Sequence, residues 1–255
     1  MHRKNLVIFL LLTISSLAAS QINQIDQLGK KQGVWIKKYP GGIVQYEGTF
    51  KDDHPIGEFK RYYENHTLKS LLIYSDNGRM ADATLYHPNG FISSRGKYID
   101  QMKEGKWKFY SEITDSCLVY EEEYTRNILN GASVTYYPDG KVAERLKYVN
   151  GKKDGEWLKY FESGKIFLRS FYTNGILNGK LEVWFENGRP QYSGFYKNNL
   201  REGKWIIYRE DGSVRYEINY TAGNTNNSQM EKDAEEFINM LEKNKDKVAD
   251  PEKNR

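Results

Sequence analysis

Apolar and polar positions along the chain recur on a 24-residue clock. With Gly155 as position 0, equivalent positions fall at Gly33, Gly57, Ala81, Gly105, Gly131, Gly179 and Gly203. Every step is 24 residues except the 26-residue step from Gly105 to Gly131, where two extra residues fit a turn around Ile113–Cys117. Position +2 carries Trp35, Phe59, Ala83, Trp107, Ser133, Trp157, Leu181 and Trp205. Position +5 carries Lys38, Tyr62, Tyr86, Tyr110, Tyr136, Tyr160, Trp184 and Tyr208. Position +17, counted past the insertion, carries Phe50, Tyr74, Tyr98, Tyr124, Tyr148, Tyr172, Tyr196 and Tyr220. A fixed period of this length marks a chain of stacked units, each contacting mainly its neighbours.

Each unit reads as two strands. Positions +1 to +6 are rich in aromatic and β-branched residues, the residues that suit a pleated surface. A turn follows, as in Tyr137–Gly140 and Phe185–Gly188. Asn-Gly and Asp-Gly there predict two-residue hairpin turns with positive φ at both central positions. The second strand, about +10 to +17, alternates. Positions +12, +14 and +16 are mostly polar, and +11, +13, +15 and +17 are apolar, aromatic or glycine, which is the signature of an antiparallel sheet with one wet face. Pro40, Pro88 and Pro138 fall in the turns; Pro190, at +11, predicts a locally unpaired site in its strand. The fold class expected is all-β: an elongated single-layer antiparallel sheet of about eight stacked hairpin units. Such a sheet has two open edges, and edges invite aggregation. Gln229–Val248 offers a cover. Met230, Ala234, Phe237 and Leu241 recur at helical spacing and Asp250-Pro251 ends the run, so a helix packed on the last repeat is expected. The organisation is then residues 1–20 as a signal peptide, 21–32 as a lead-in, 33–224 as eight repeats and 225–255 as the helix and a polar tail.

Composition narrows the function classes. Aromatic residues are 14% and charged residues 28% of the chain, which argues for a folded rather than a disordered protein. The formal net charge of +4 is spread without a basic stripe, which argues against nucleic acid as a partner. His2, Arg3 and Lys4 precede an apolar run, Leu6–Ile14, and Ala18-Ala19-Ser20 supplies small residues for cleavage before Gln21. This is signal-peptide grammar. The apolar run is too short for a spanning helix, which needs about 20 residues, so export to the periplasm or beyond is expected, with no transmembrane anchor. Cys117 is the only cysteine, which excludes an intrachain disulfide.

Chemistry is sparse. The four histidines are scattered, with no His-Glu-x-x-His or Cys/His cluster, and no nucleophile elbow or phosphate-binding glycine motif is present. The glycines follow the 24-residue clock, so turn geometry accounts for them. No catalytic residue, metal ligand or cofactor is expected, and the reading is non-enzymatic.

The aromatic clock supports two roles. Trp35, Phe59, Trp107, Trp157 and Trp205, together with Phe50, Tyr74, Tyr98, Tyr148, Tyr172, Tyr196 and Tyr220, form a structural ladder. In a single layer these rings must be the core, each contributing about 1.5–3 kcal/mol when buried. Glycine at +15 (Gly48, Gly96, Gly194) would let a ring of the next strand lie flat over the backbone. Position +5 lies opposite +2 in parity. Tyr62, Tyr86, Tyr110, Tyr136, Tyr160, Trp184 and Tyr208 therefore form a candidate recognition face, since contiguous exposed aromatic surface marks an interaction site.

The unit Gly-x-Trp-x-x-Tyr with glycine at +9 and an aromatic at +17 resembles MORN repeats, and more closely their bacterial variant. Gly105–Tyr110, Gly155–Gly164 and Gly203–Gly212 carry the resemblance best, which extends from Gly33 to Gly223; the units at Ala81 and Gly131 lack the +2 aromatic. Bacterial proteins built of these variants are grouped as the YwqK-type antitoxin family. The resemblance implies a protein-binding scaffold, antitoxin-like, with a toxin-like or envelope protein as partner. Two alternatives stand beside it: a cell-wall or glycan binder that stacks aromatics on sugars, and a lipid or membrane-surface binder, for which a polybasic patch would be expected.

Overall fold

The computed structural model describes residues 21–243, so the signal-peptide reading at 1–20 and the last turns of the expected helix lie outside the described residues. The described chain forms one open antiparallel sheet of 19 strands. It is a meander of eight hairpins. The first joins Lys31–Lys38 to Val44–Lys51, the second His54–Tyr62 to Leu68–Ser75, and the third Met80–Tyr86 to Ile92–Ile99. The fourth joins Met102–Tyr110 to Leu118–Thr125, and the fifth Ile128–Tyr136 to Val142–Val149. The sixth joins Gly155–Tyr160 to Ile166–Thr173, the seventh Gly179–Trp184 to Pro190–Lys197, and the eighth Leu200–Tyr208 to Val214–Tyr220. The remaining strands are two-residue pieces: Gln24–Ile25 at the start, and Lys152–Lys153 and Ile176–Leu177 leading into the sixth and seventh hairpins.

Three local expectations change. The two-residue turns with positive φ at both positions join successive hairpins, at Asp52-Asp53, Asn150-Gly151 and Asn174-Gly175, and do not form the hairpin tips. At the tips only the +9 residue turns left-handed, as Gly140 does at φ 84. There the Asp139 carboxylate accepts the Lys141 backbone N–H at 3.0 Å. Asn89, Asn187 and Asp211 make the same closure. The clock glycine lies inside a strand rather than before it. Gly57 stands at φ 62, where the pairing jumps from Gly48↔Phe59 to Thr49↔Ile56. That bulge needs a residue tolerant of positive φ. At Ala81 the ladder runs unbroken from Ser70↔Leu85 to Ser75↔Met80, so no glycine is required; a short 3-10 turn, Asp76–Gly78, replaces the usual joint.

The third change concerns the second strand. All eight hairpins carry a register shift between +4 and +5, as at Arg61/Tyr62. Opposite it, two residues of the second strand face one of the first, and both then point to the same side. Position +12, expected on the wet face, thus turns toward the core: Ala143, Phe167 and Gln191 are buried. Position +11, expected on the core side, pairs with +5 on the opposite face, as in Tyr62↔Leu68. Pro190 opens its strand at this shift, opposite Trp184, where its missing donor is tolerated.

The core is one face of the sheet. Position +2 sits opposite +15 within its hairpin, as Trp107 does opposite Glu122, and in the inter-hairpin pairing it lies over +15 of the preceding unit. Glycine there is a matter of space. A Cβ on Gly48 would lie 2.1 Å from the Phe59 ring, on Gly96 2.3 Å from Trp107, and on Gly194 2.2 Å from Trp205. The expected ring-over-glycine packing is therefore present at all three. At two joints a larger +15 is met by a small +2: Leu72 faces Ala83, and Glu122 faces Ser133; at the joint of Leu146 and Trp157 both are large. The ladder aromatics pack along this face, Phe50, Phe59 and Tyr74 edge to face at centroid distances of 5.7 and 6.0 Å, and Tyr196, Trp205 and Tyr220 at 5.1 and 6.0 Å.

Basic side chains roof the rings. Lys31 lies 4.8 Å from the Trp35 ring, Lys103 4.9 Å from Trp107, and Arg201 5.2 Å from Trp205. All three stand at position −2, so their methylene stems cover apolar surface while the charge faces the rings and water. Two apolar clusters result, one in hairpins two to four and one in hairpins six to eight. Between them lies a polar band of buried Glu122, Ser133 and Thr135, in which the Tyr124 hydroxyl donates to Glu122 at 2.5 Å.

The ends are handled differently. At the first hairpin, Gln24–Ile25 pairs with Lys31 and Gln32, and the Asn23 side chain both donates to and accepts from Ile36. At the other end the helix, Ser228–Lys243, lays Met230, buried Ala234 and Phe237 on the second apolar cluster. Arg201 pairs with Glu231 and Glu235 on the helix at 3.5 and 3.3 Å. The helix thus packs on the last repeat as expected, but over its aromatic face rather than along its backbone edge.

The packing rule is testable by a double-mutant cycle. Gly96→Ala should destabilise by about 1–3 kcal/mol through overpacking against Trp107, and Trp107→Ala by about 3–5 kcal/mol. The double variant should be more stable than their sum by about 1 kcal/mol or more in urea unfolding. Additive effects would show that the ring does not rest on Gly96.

Candidate interaction surface

The face opposite the core carries positions +1, +3 and +5 of each first strand and +11, +14 and +16 of each second strand. Its two margins differ. One is charged and internally paired: Lys106 and Lys108 both reach Glu121, at 3.5 and 3.3 Å, Arg169 reaches Glu156 at 3.2 Å, and Lys204 reaches Glu217 at 2.6 Å. The exposed pairs among these, Arg169 with Glu156 and Lys204 with Glu217, are worth about 0–1 kcal/mol each, whereas Glu121 is largely buried. Exposed Ile73, Phe171 and Phe195, at 43%, 36% and 45%, interrupt this margin.

The other margin is the candidate recognition face. Tyr62, Tyr86, Tyr110, Tyr136, Tyr160, Trp184 and Tyr208 are all half-buried and all lie on this side. Each stands directly opposite its +11 partner: Leu68, Ile92, Leu118, Val142, Ile166, Pro190 and Val214. The register shift thus builds an aromatic–aliphatic stripe that crosses seven hairpins. The sequence contained the signal, an aliphatic residue or proline at every +11, but strict alternation assigned it to the wrong face.

Several rings are held from the preceding unit. The Tyr62 hydroxyl donates to Glu47 at 2.6 Å, and Tyr136 donates to Glu121 at 3.2 Å. The Arg169 guanidinium lies 5.9 Å from the Trp184 ring centre. Burial first, then the hydrogen bond and negative charge of Glu47, push the Tyr62 phenol up to about 12. Burial and Glu121 act on Tyr136 in the same direction. For Glu121, burial works to raise the pKa, but the Lys108 contact, the charges of Lys106 and Lys108 and the Tyr136 hydroxyl outweigh it and hold it low.

The backbone beneath the stripe is satisfied by a set of contacts that sequence reasoning missed. Position +6 turns back to the core face, and its side chain reaches the carbonyl of the next +5 residue. Tyr39 donates to Tyr62 at 2.9 Å, Tyr63 to Tyr86 at 2.8 Å and Tyr137 to Tyr160 at 2.5 Å. His87 Nε2 sits 3.2 Å from the Tyr110 carbonyl. Each +5 carbonyl lies where the pairing between hairpins has ended, so an unmet acceptor would otherwise remain. The signal in sequence was a second aromatic directly after the first, as in Tyr62-Tyr63 and Tyr136-Tyr137.

The expected ladder residues all lie on the other face, so the structure separates the two aromatic sets. Among the described residues no cluster of three or more His, Cys, Asp or Glu could hold a metal ion, and no helix is long and apolar enough to cross a membrane. Cys117 is a free, half-buried thiol in the inserted turn, with Sγ 4.0 Å from the Pro138 carbonyl.

None of the curated proteins matches the chain. Among solved structures, one titled "Crystal Structure of TcdB2-TccC3" is similar over 78% of this chain and 13% of that chain, at 10% identity and a TM-score of 0.20. A superposition of that quality carries no weight for function. The model of the MORN repeat variant matches residues 31–52, 129–150, 153–174, 177–198 and 201–222. Each match begins at the −2 roof position and ends in the joint. The unit at Gly131 is among them although it lacks the +2 aromatic, whereas the unit at Gly105, with its longer turn, is not. The first, fifth, sixth, seventh and eighth hairpins are the ones that match the MORN repeat variant, and the three between share their sheet.

Proposed function

We propose that this repeat array is a non-enzymatic recognition scaffold that acts outside the cytoplasm, and that its partner is a protein seated along the stripe from Tyr62 to Tyr208. The stripe itself carries the reading: seven half-buried rings, each beside an apolar partner, recur at every hairpin from the second to the eighth. Two strands at about 4.8 Å each put successive rings roughly 10 Å apart. Tyrosine and tryptophan beside a charged margin is the composition of interface centres with polar rims. Rings already held by Glu47 and Glu121 lose less freedom on binding than free ones. The resemblance to antitoxin-type repeats favours a toxin-like or envelope protein as the partner, and the signal-like N-terminus favours a meeting place in the periplasm or beyond.

Replacing Tyr62, Tyr86, Tyr160 and Tyr208 together by serine should leave the circular dichroism spectrum of a sheet and abolish capture of the partner from envelope extracts. Undiminished capture by that folded variant would remove this face from consideration. Mass spectrometry of the exported chain should find Gln21 at its N-terminus; a chain retained inside the cell with residues 1–20 attached would sink the proposed location. Preorganisation is read by titration. In ultraviolet absorbance Tyr62 should ionise later than an ordinary phenol, near about 12, and Glu47→Gln should bring it down. The linked stability is fully present below about pH 10, the unfolded value. It falls from there to about 12, because the unfolded chain releases this proton first.

A further inference from the structure

The aromatic face has a gap at hairpin three. Hairpin three carries Ala81 at position 0 and Ala83 at position +2, where most other units carry glycine and a large side chain. With no indole at +2, the basic residue at −2 has no ring to roof. Arg79 instead turns to Asp76 and Asp100, at 3.0 and 3.3 Å. The missing ring and the displaced roof leave an open cavity of about 360 Å3, within the size range of small-molecule sites.

The cavity is built for a particular chemistry. Tyr74 and Tyr98 both pair with Ala81, one from each side, on three neighbouring strands. Their strands are therefore about 10 Å apart, with Ala81 on the strand between them; Arg79, paired with Asp76 and Asp100, also lines the cavity. Leu72, Ala81 and Leu85 supply apolar lining, and Ser70 and Ser93 supply hydroxyls. Arg61 and Lys69 line the same cavity. They are held by rings rather than carboxylates: Arg61 lies 5.7 Å from the Phe59 ring centre and Lys69 5.2 Å from that of Tyr63. No ion pair joins either of them to a carboxylate among the described residues. Lys69 and Ser93 reach this side only because the register shift turns +12 toward the core face. Two cations without a carboxylate partner, in a cavity that two phenols also line, suit an anion with a flat body.

We propose that this cavity binds a small organic anion, a planar ring bearing one carboxylate, with the ring between Tyr74 and Tyr98 and the carboxylate at Arg61 and Lys69. Tyr86 is the stripe residue that also lines this cavity; the two cations and the paired phenols belong to the core face, so the two sites can be tested separately away from Tyr86.

The test is calorimetric titration of the full exported chain with 2-naphthoate, with neutral 2-naphthylmethanol and inorganic phosphate as controls. Naphthoate should bind at one site with a dissociation constant on the order of 100 μM. The alcohol should bind about tenfold more weakly or worse, since a charge-assisted hydrogen bond is lost, and phosphate should not compete. Arg61→Gln with Lys69→Gln should weaken naphthoate about tenfold or more. Leu85→Trp should abolish binding with both cations intact; if that variant loses its sheet spectrum, Ser93→Phe fills the cavity from the next strand. A stripe variant with only Tyr160→Ser and Tyr208→Ser, neither of which lines the cavity, should bind naphthoate as the parent does. No saturable binding, equal binding of the alcohol, phosphate competing at similar concentration, or unchanged binding in the filled cavity would each overturn the assignment.

Discussion

A ring lying flat on a glycine of the neighbouring strand is the contact on which the rest of this structure depends. A single-layer sheet has no second layer to bury its apolar face. Its core must be built by side chains lying down on their own sheet. Phe59, Trp107 and Trp205 do so because Gly48, Gly96 and Gly194 leave the backbone bare beneath them. At two joints the sizes reverse, with Leu72 facing Ala83 and Glu122 facing Ser133. Because each ring rests on the preceding unit, every repeat is completed by its neighbour, and stability is shared between adjacent units along the array.

The same packing explains the roof and the ends. Rings lying flat still show one face to water, and Lys31, Lys103 and Arg201 cover it; the cover partly buries the charge, and burial holds the Lys103 ammonium below the usual lysine range. At the last described hairpin the helix places Ala234 and Phe237 against the cluster that holds Ile218. Where the reversal removes a ring altogether, at Ala83, the roof loses its support and the cavity opens. The candidate ligand site is a consequence of the packing rule applied at a unit with two alanines.

The two faces divide the aromatic residues between two tasks. On the core face, +2 and +17 hold the sheet together. On the other, +5 and +11 form a stripe whose rings are steadied from beneath by the +6 hydroxyls and from the side by Glu47 and Glu121. A long, regular, half-buried stripe beside a charged margin suits recognition of an extended or repetitive surface better than a point contact.

The period, the number of hairpins, the antiparallel class and the ring-over-glycine contacts were legible in the sequence. Each rests on residue type at a fixed spacing: glycine opposite tryptophan has the same meaning wherever it recurs. The helix was legible for the same reason, from Met230, Ala234 and Phe237. Tertiary structure alone decided what alternation misassigned. A bulge inserts one residue into one strand, and nothing in a list of apolar and polar positions marks where the count slips. That slip sent Phe167 and Lys69 inward and Leu68 outward, moved the two-residue turns to the joints, and assembled both the stripe and the cavity. It also decided which unit each ring rests upon, because the partner lies on a neighbouring strand and only the register of pairing brings the two together.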